Sequence, residues 1–397
     1  MHPKVLFVID GLRPGGAERS LAEMLPGLAQ EQVQSIVAFF HQHDESLEGL
    51  FRAQGTDLRV LSQPGIWQRV VALRRLIQTE RPDVVHTTLF EADVIGRIAA
   101  IGLKTVVVTS LVNTSYDPIR LQNSDVSPFK LSAARVIDAW TARWLTTHFH
   151  AVSEPVKIAA VEALGLSPER ISVIERGRDG RFGGTSDERR ASARQKLGLT
   201  SSDEVILTVG RQEYQKGHRF LIEAMQEVTR LRPRALLLVA GSRGRHTPIV
   251  EHLIEQNRNV RVRLLGHRDD VPDLLAAADV FAFPSLYEGA AGALLEAMAM
   301  GLPIVASRIP AIESVVEENR NALIVDRASV GPLARAIADL LADRDAARAF
   351  GLRSREIFEA RFTLERSAAR MVEFYRRLTT RAASPFQGAE PSELHCK

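Results

Sequence analysis

Glu288 and Glu296 have the spacing and the surroundings of a site that binds hydroxyl groups beside a phosphate. Val280–Phe283 is a short apolar run typical of a buried parallel strand, and the small residues at 289–292 let backbone approach a ligand closely. The alanine- and leucine-rich run that follows predicts a helix ending at Gly301, whose first N–H groups would bind phosphate. A carboxylate cannot bind phosphate, but it accepts hydrogen bonds from pairs of hydroxyls. A ligand with sugar, diphosphate and ribose in a row would fit.

A second strand-to-helix loop carries two cations. Val205–Val209 predicts a strand, Gly210 ends it, and a helix begins near Gly217. Arg211 and Lys216 lie on the loop between them, at the edge of the sheet where α/β proteins bind ligands. An arginine can bind two phosphate oxygens at once while a lysine acts as a point charge, so the loop predicts diphosphate binding.

The amino-terminal segment has a weaker nucleotide signal. Val5–Asp10 predicts a strand, and Gly15 and Gly16 lie in the turn before a helix. The spacing is not G-x-G-x-x-G, so a dinucleotide-binding dehydrogenase is disfavoured.

Together these segments resemble the family 4 retaining glycosyltransferases. The similar stretches are Gly-Gly-Ala-Glu-Arg at 15–19, Gly-Arg followed by Lys-Gly at 210–217, and Glu288 and Glu296 followed by Gly301-Leu-Pro303. The resemblance covers nearly the whole chain, densely from Gly210 to Ser307. It implies the GT-B fold, in which two Rossmann-like domains face a central cleft, and transfer of a sugar from a nucleotide-diphosphate donor.

The resemblance also implies residue roles. Arg211 and Lys216 would neutralise the leaving diphosphate without a metal, so neither a metal nor another cofactor is expected. Glu288 would position the sugar hydroxyls and Glu296 would hold the ribose. The remaining donor-side residues are Gly15, Gly16, Gly289, Ala290, Ala291, Gly292 and His267, the last in a loop beside the nucleotide base, where a merely exposed histidine is an equal alternative.

The chain departs from the family pattern at two places. Val112 stands where many members have a histidine near the reacting sugar, and a valine side chain cannot donate a hydrogen bond. Asn113, Ser115 or His86 are the candidates to serve on the acceptor side instead. Ala290-Ala291-Gly292 replaces a common Phe-Gly-Leu, which predicts a differently shaped sugar pocket.

Length and pattern predict two α/β domains. A chain of 397 residues with 45% hydrophobic residues is too long for one compact domain, and short apolar runs alternate with helical patterns to about Val325. We expect an acceptor-binding domain at 1–180 and a donor-binding domain at 181–361. A helix at about 362–380 should pack back on the first domain, and 381–397 reads as a flexible tail.

Charge and composition exclude several functions. Residues 1–175 carry a net charge of −2 and the remainder +5, with no dense basic stripe, so nucleic-acid binding is not expected. No run is long enough to span a membrane and no leader is recognisable, which predicts a cytoplasmic protein. The helix at 67–78 could touch an anionic membrane, or simply bury one face. Asp343-Arg344-Asp345 is interpreted as a solvated helix face or a helix start rather than a metal motif.

The sequence therefore predicts a retaining, metal-independent glycosyltransferase with a sugar, lipid-linked or small-molecule acceptor. The absence of an evident carboxylate nucleophile favours attack on the face that the leaving group departs from. Two alternatives stay open: a nucleotide-sugar-binding protein without transferase chemistry, and another enzyme of the same architecture, such as an epimerase or a sugar phosphorylase.

Overall fold

Two parallel β-sheets, each covered by helices, make up the chain in a computed structural model that describes residues 2–123, 126–179 and 184–383. The predicted boundary at 180/181 lies outside the described residues, as do residues 384–397 of the predicted tail. Residues 381–383, predicted as the start of that tail, belong to a helix. The prediction of an α/β chain with two Rossmann-like halves is confirmed.

The first lobe is built on seven strands and six helices. The strands are β1 (Lys4–Gly11), β2 (Gln34–His41), β3 (Asp57–Val60), β4 (Val84–Thr88), β5 (Val106–Leu111), β6 (His148–Ala151) and β7 (Ile171–Val173). The helices are α1 (Gly16–Gln30), α2 (Glu48–Ala53), α3 (Ile66–Glu80), α4 (Phe90–Ala99), α5 (Pro128–Leu145) and α6 (Glu154–Leu164), with 3₁₀ turns at Pro118–Gln122 and Pro168–Arg170.

The second half of the chain contributes six strands and, among the described residues, the remaining helices. The strands are β8 (Glu204–Val209), β9 (Ala235–Ala240), β10 (Val262–Gly266), β11 (Val280–Phe283), β12 (Ile304–Ser307) and β13 (Ala322–Val325). The helices are α7 (Asp187–Lys196), α8 (His218–Leu231), α9 (Thr247–Gln256), α10 (Val271–Ala277), α11 (Gly292–Ala299), α12 (Pro310–Glu313), α13 (Val330–Ala342), α14 (Arg344–Arg361) and α15 (Leu364–Ala383), with a 3₁₀ turn at Tyr214–Lys216.

The two sheets share one strand order. The first runs β3-β2-β1-β4-β5-β6-β7 and the second β10-β9-β8-β11-β12-β13, and all registered pairs are parallel. The order reverses between β1 and β4 in the first sheet and between β8 and β11 in the second. Ligands of open α/β sheets bind at such switch points, beside the carboxyl ends of the strands.

The strands form as predicted because both faces of each sheet are buried. Every residue of β9 and of β11 is buried, which requires the continuous apolar runs seen in the sequence. Asp343 begins α14 as expected, since its side chain accepts the amide N–H of Ala346 at 2.9 Å.

Helix α15 follows the second lobe in sequence but packs on the first. Met371, Phe374 and Tyr375 belong to the same apolar core as Val5 and Phe7 of β1. The chain thus crosses between the lobes twice, and the two connections run side by side. The amide of Arg178 donates to the carbonyl of Phe362 (3.0 Å), and the amide of Leu364 donates to the carbonyl of Arg178 (2.9 Å).

Helix α3 has an ordinary buried face of Val70, Leu73 and Ile77, while Ile66 and Trp67 are exposed. Among the helices that the structure describes, none combines the length and apolar character needed to cross a bilayer.

Candidate functional site

A cavity of about 1270 Å³ lies between the lobes, at the carboxyl ends of the strands that flank both switch points. Its walls come from the turns after β1, β4 and β5 in the first lobe and after β8, β10 and β11 in the second. The predicted site residues that line it are Gly15, Gly16, Asn113, Ser115, Arg211, Lys216, His267, Glu288, Gly289, Ala290, Ala291, Gly292 and Glu296.

The turn between β11 and α11 presents backbone donors to this cavity. Ala291 has the left-handed φ of 43°, a conformation that non-glycine residues adopt rarely and at functional sites. Its carbonyl accepts the amides of Leu294 (2.9 Å) and Leu295 (3.2 Å). The amides of Gly292 and Ala293 make no hydrogen bond within the part of the chain that the structure describes. They form the positive end of a helix, where an anion binds favourably.

Lys216 and Glu288 form an ion pair at this helix end. The Nζ of Lys216 contacts the Oε1 of Glu288 and lies 5.6 Å from the ring centre of Phe283. Glu288 is buried and Lys216 is mostly buried, so the pair is shielded from water. The lysine charge therefore lies where it contacts Glu288 and could also contact a phosphate group bound at the helix end.

Glu296 is buried on α11 and pairs with Arg178, which the sequence did not single out. The Nε of Arg178 lies 3.0 Å from the Oε1 of Glu296, and its Nη1 lies 3.4 Å from Glu23 on α1. Arg178 is itself buried. One guanidinium thus neutralises an acid from each lobe, and one oxygen of Glu296 is already occupied.

Arg211 and Arg176 add two further cations. The Arg211 side chain is exposed to the cavity, and neither guanidinium donates a hydrogen bond to any residue in the described ranges. Burial lowers the pKa of Arg176 to about 10, with the neighbouring Arg178 acting in the same direction. An arginine near neutral pH is charged even so. Arg176 and Arg211 therefore bring positive charge to this part of the cavity beyond that of Lys216, which Glu288 neutralises.

The turn after β1 closes over this positive end. An ideal Cβ at Gly15 would lie 2.3 Å from the Oε2 of Glu18, and one at Gly16 would lie 3.4 Å from Arg176. Glycine at 15 therefore leaves room for the carboxylate of Glu18. Burial raises the pKa of Glu18, and the charges of Arg211 and Arg176 partly counteract that rise.

The two lobes touch at Gly289. An ideal Cβ there would lie 1.9 Å from the carbonyl oxygen of Val112, and the hydroxyl of Ser153 donates to the carbonyl of Gly289 at 2.8 Å. The structure is therefore closed around the cavity, and only glycine fits at this point of contact.

Two family profiles match the chain. The profile described as glycosyltransferase family 4 matches residues 14–180, and that described as glycosyl transferases group 1 matches residues 189–357. Together they span both lobes. The chain belongs to the group 1 glycosyltransferases.

Known proteins with similar sequences are bacterial glycosyltransferases. The chain is 26% identical over 281 residues to the UDP-Gal:α-D-GlcNAc-diphosphoundecaprenol α-1,3-galactosyltransferase of Escherichia coli, covering 69% of this chain and 70% of that one. It is 32% identical over 236 residues to the D-inositol 3-phosphate glycosyltransferase of Corynebacterium urealyticum, covering 57% of this chain and 54% of that one. The second match thus spans about half of the relative's length.

Solved structures share the fold. Anabaena HepE in complex with UDP and glucose superposes with a TM-score of 0.83 at 22% identity, covering 95% of this chain and all of that one. Sucrose-phosphate synthase of Thermosynechococcus elongatus gives a TM-score of 0.81 at 21% identity, over 97% of this chain and 100% of that one.

Val112, which stands in this glycosyltransferase where many family members have a histidine, makes a contact between the lobes. Val112 lines the cavity, and its carbonyl packs on Gly289. Asn113 and Ser115 line the cavity beside it. The Oδ1 of Asn113 accepts the amide of Thr114 at 2.9 Å, so its amide nitrogen can still face a ligand.

His86 does not reach the cavity, so the expectation that it serves on the acceptor side is wrong. Its ring is 3% exposed, with Nδ1 2.6 Å from the hydroxyl of Tyr375 on α15 and Nε2 2.7 Å from the hydroxyl of Ser110. Ser110 in turn lies 3.0 Å from Nδ1 of His150, whose Nε2 donates to the carbonyl of Ile174 at 3.1 Å. Burial lowers the pKa of both histidines, to about 4 for His150.

His267 lines the cavity after β10, and its place beside a nucleotide base stays a prediction. Its Nε2 lies 3.4 Å from the Oδ1 of Asp269, and about two fifths of its side chain is exposed. Among the described residues, no three histidine, cysteine or acidic side chains group together as metal ligands would.

An acidic cluster at the first-lobe end of the cavity was missed. Asp10 and Asp93 both line it, and burial raises their pKa values to about 6 and about 8. The Oδ1 of Asp93 is buried without a hydrogen-bond partner in the described part of the chain. Asp93 lies in the first turn of α4. Because an acid there is favoured by the helix dipole, its position in the sequence did not indicate a functional role.

Gly289→Ala should separate the lobes, because the new methyl group cannot coexist with the Val112 carbonyl. We expect a larger radius of gyration in small-angle X-ray scattering. Gly331→Ala is the control, since a Cβ there would approach only Arg335 at 3.8 Å. Identical scattering from Gly289→Ala and the unmodified chain would contradict the closed geometry.

Asp93→Asn should stabilise the chain increasingly as pH rises. The folded chain keeps this carboxyl protonated up to about pH 8, whereas the unfolded chain releases the proton near its ordinary pKa of about 3.9. The stability that this carboxyl contributes is therefore lost as the pH rises between those two pKa values. The asparagine side chain does not titrate, so the variant does not lose that stability. Melting temperatures at pH 5 and pH 8 test this, with exposed Asp345→Asn as control; an equal difference at both pH values would refute a buried neutral acid.

Proposed function

We propose that the chain transfers a sugar from a nucleoside-diphosphate donor to an acceptor hydroxyl, with retention of anomeric configuration and without a metal. The observation that carries the proposal is the convergence of Arg176, Arg211 and Lys216 with the amino-terminal end of α11 on one end of the interlobe cavity. Such an arrangement fits a diphosphate, since cations and helix ends both stabilise phosphate charge.

The donor would lie along α11. Its diphosphate would contact the amides of Gly292 and Ala293, with Arg211 and Lys216 on the outer oxygens. Glu288, held against Lys216, would accept hydrogen bonds from the sugar hydroxyls. The oxygen of Glu296 that Arg178 leaves open would accept a ribose hydroxyl. The acceptor would then approach from the first-lobe end, past Asn113.

The names of relatives support a nucleotide-sugar donor but differ in its base and in its sugar. The Escherichia coli relative is named for UDP-galactose, a Corynebacterium glutamicum relative for GDP-mannose, and the HepE crystals held UDP and glucose. We therefore assign the donor class and leave the base and the sugar to the experiment below.

The reaction would proceed on one face of the sugar. As the bond from the anomeric carbon to the departing phosphate oxygen breaks, the acceptor oxygen bonds to that carbon on the same face, and its proton passes to the departing oxygen. The fixed cations supply the charge stabilisation that a metal supplies elsewhere. Closure of the lobes at Gly289 would exclude water from the reacting anomeric carbon.

Product stereochemistry tests the proposal. The purified chain is incubated with UDP-glucose, UDP-galactose or GDP-mannose and alkyl glycosides as acceptors, with and without EDTA. We expect an α-linked product, identified by the coupling constant of the new anomeric proton, at rates that EDTA leaves unchanged. A β-linked product would refute retention, and loss of product with EDTA would refute metal independence.

Removing either predicted diphosphate cation should slow turnover. Arg211→Met and Lys216→Met should each lower kcat by about a hundredfold, the scale for a lost charge-stabilising group. Arg219→Met is the matched control, because Arg219 is exposed on α8 and does not line the cavity. Near-normal kcat in both site variants, with unchanged melting temperatures, would remove the leaving-group role.

A further inference from the structure

Helix α5 is packed the opposite way from an ordinary surface helix. Its fully buried residues are only Thr141 and Ala142, which are small. Its large apolar side chains face outward: Phe129, Val136, Ile137, Trp140 and Trp144 are all exposed, the two tryptophans by 59% and 74%. Surface helices normally turn their apolar stripe toward the core, so this face lacks its partner in the isolated chain.

These five side chains form one continuous stripe. At 100° per residue their positions fall within an arc of about 100° on the helix. We refer to Phe129, Val136, Ile137, Trp140 and Trp144 as the α5 stripe. Lys130 and Arg143 are exposed at its edges, whereas Arg135 lies on the cavity side of the helix. The single acid of α5, Asp138, is held inside by Arg97 at 2.7 Å and by the hydroxyl of Tyr116 at 2.8 Å. The outer surface of α5 is thus apolar and cationic.

The side of α5 opposite the stripe faces the interlobe cavity. Leu131 and Ala134 of α5 and Ile158 and Ala163 of α6 line the acceptor end of the cavity, and Ile158 is exposed at its mouth. The stripe and the cavity are therefore separated by one helix diameter, roughly 10 Å.

We propose that the α5 stripe lies in the interface of an anionic membrane and that the acceptor is a lipid-linked hydroxyl compound. The inference rests on the proposed function for its acceptor half. Tryptophans and phenylalanine enter the headgroup region, while flanking lysine and arginine bind acidic lipids. The lipid chain stays in the membrane along α5 and α6, and the head group enters the cavity. Helix α3 is the weaker alternative, since no residue of α3 lines the cavity, whereas Leu131 and Ala134 of α5 do.

The tryptophans themselves report the contact. The chain has three, Trp67, Trp140 and Trp144, so a Trp67→Phe background leaves only the α5 stripe to fluoresce. With vesicles of 3:1 phosphatidylcholine and phosphatidylglycerol we expect a blue shift, quenching by brominated acyl chains, and co-sedimentation. Pure phosphatidylcholine should bind at least about tenfold more weakly, because each cation near an acidic surface adds to the attraction.

Trp140→Ser with Trp144→Ser should lower the partition coefficient for acidic vesicles at least tenfold, and Trp67→Ser should not. Nucleotide-induced rise of the melting temperature serves as the fold control and needs no membrane. Equal vesicle binding by the double variant and the unmodified chain, or no binding by either, overturns the membrane proposal. So does a dimer that dissociates when the stripe is changed, which would make the stripe an interface between two copies.

The acceptor half is tested with alkyl glycosides of rising chain length. We expect kcat/KM to rise with chain length in the unmodified chain and to rise less in the double variant. No dependence on chain length overturns the lipid-linked acceptor. Failure to bind any nucleotide overturns the proposed function alone, because vesicle binding is measured without donor.

Discussion

The buried guanidinium of Arg178 is the interaction on which the closed structure depends. The Arg178 backbone hydrogen-bonds to the second connection between the lobes. The Arg178 side chain pairs with Glu23 from one lobe and Glu296 from the other. A buried charge left without its partner costs about 3–5 kcal/mol, so the three groups must stay together or all be hydrated. Lobe closure and the orientation of Glu296 are therefore set by the same contact.

Around that contact the cavity divides by charge. The second-lobe end gathers Arg176, Arg211 and Lys216, while the first-lobe end holds Asp10 and Asp93. The repeated strand order places both groups at switch points, so the two ends face each other. A cationic end suits the leaving diphosphate. Asp93, whose pKa burial raises to about 8, suits a hydroxyl group, because a protonated carboxyl both donates and accepts hydrogen bonds.

The sequence predicted the parts whose determinants are local. Arg211, Lys216, Glu288 and Glu296 lie in short segments where strand, turn and helix are readable from composition, and the structure brings all four to one cavity. Arg176 and Arg178 were missed because their position depends on the packing of two interlobe connections that are far apart in sequence. His86 was misplaced for the same reason: Tyr375, 289 residues later, covers its ring and binds one of its nitrogens.

The return of α15 to the first lobe constrains how the protein is made. Met371, Phe374 and Tyr375 complete the core that β1 and α1 begin, so the amino-terminal half leaves the ribosome with part of one side of its sheet uncovered. Domains generally fold in order of synthesis, but here the lobe translated first must finish last. Until the final helix emerges, Phe7 and its neighbours are open to chaperones and to aggregation, and a fragment ending before residue 364 would share that fate.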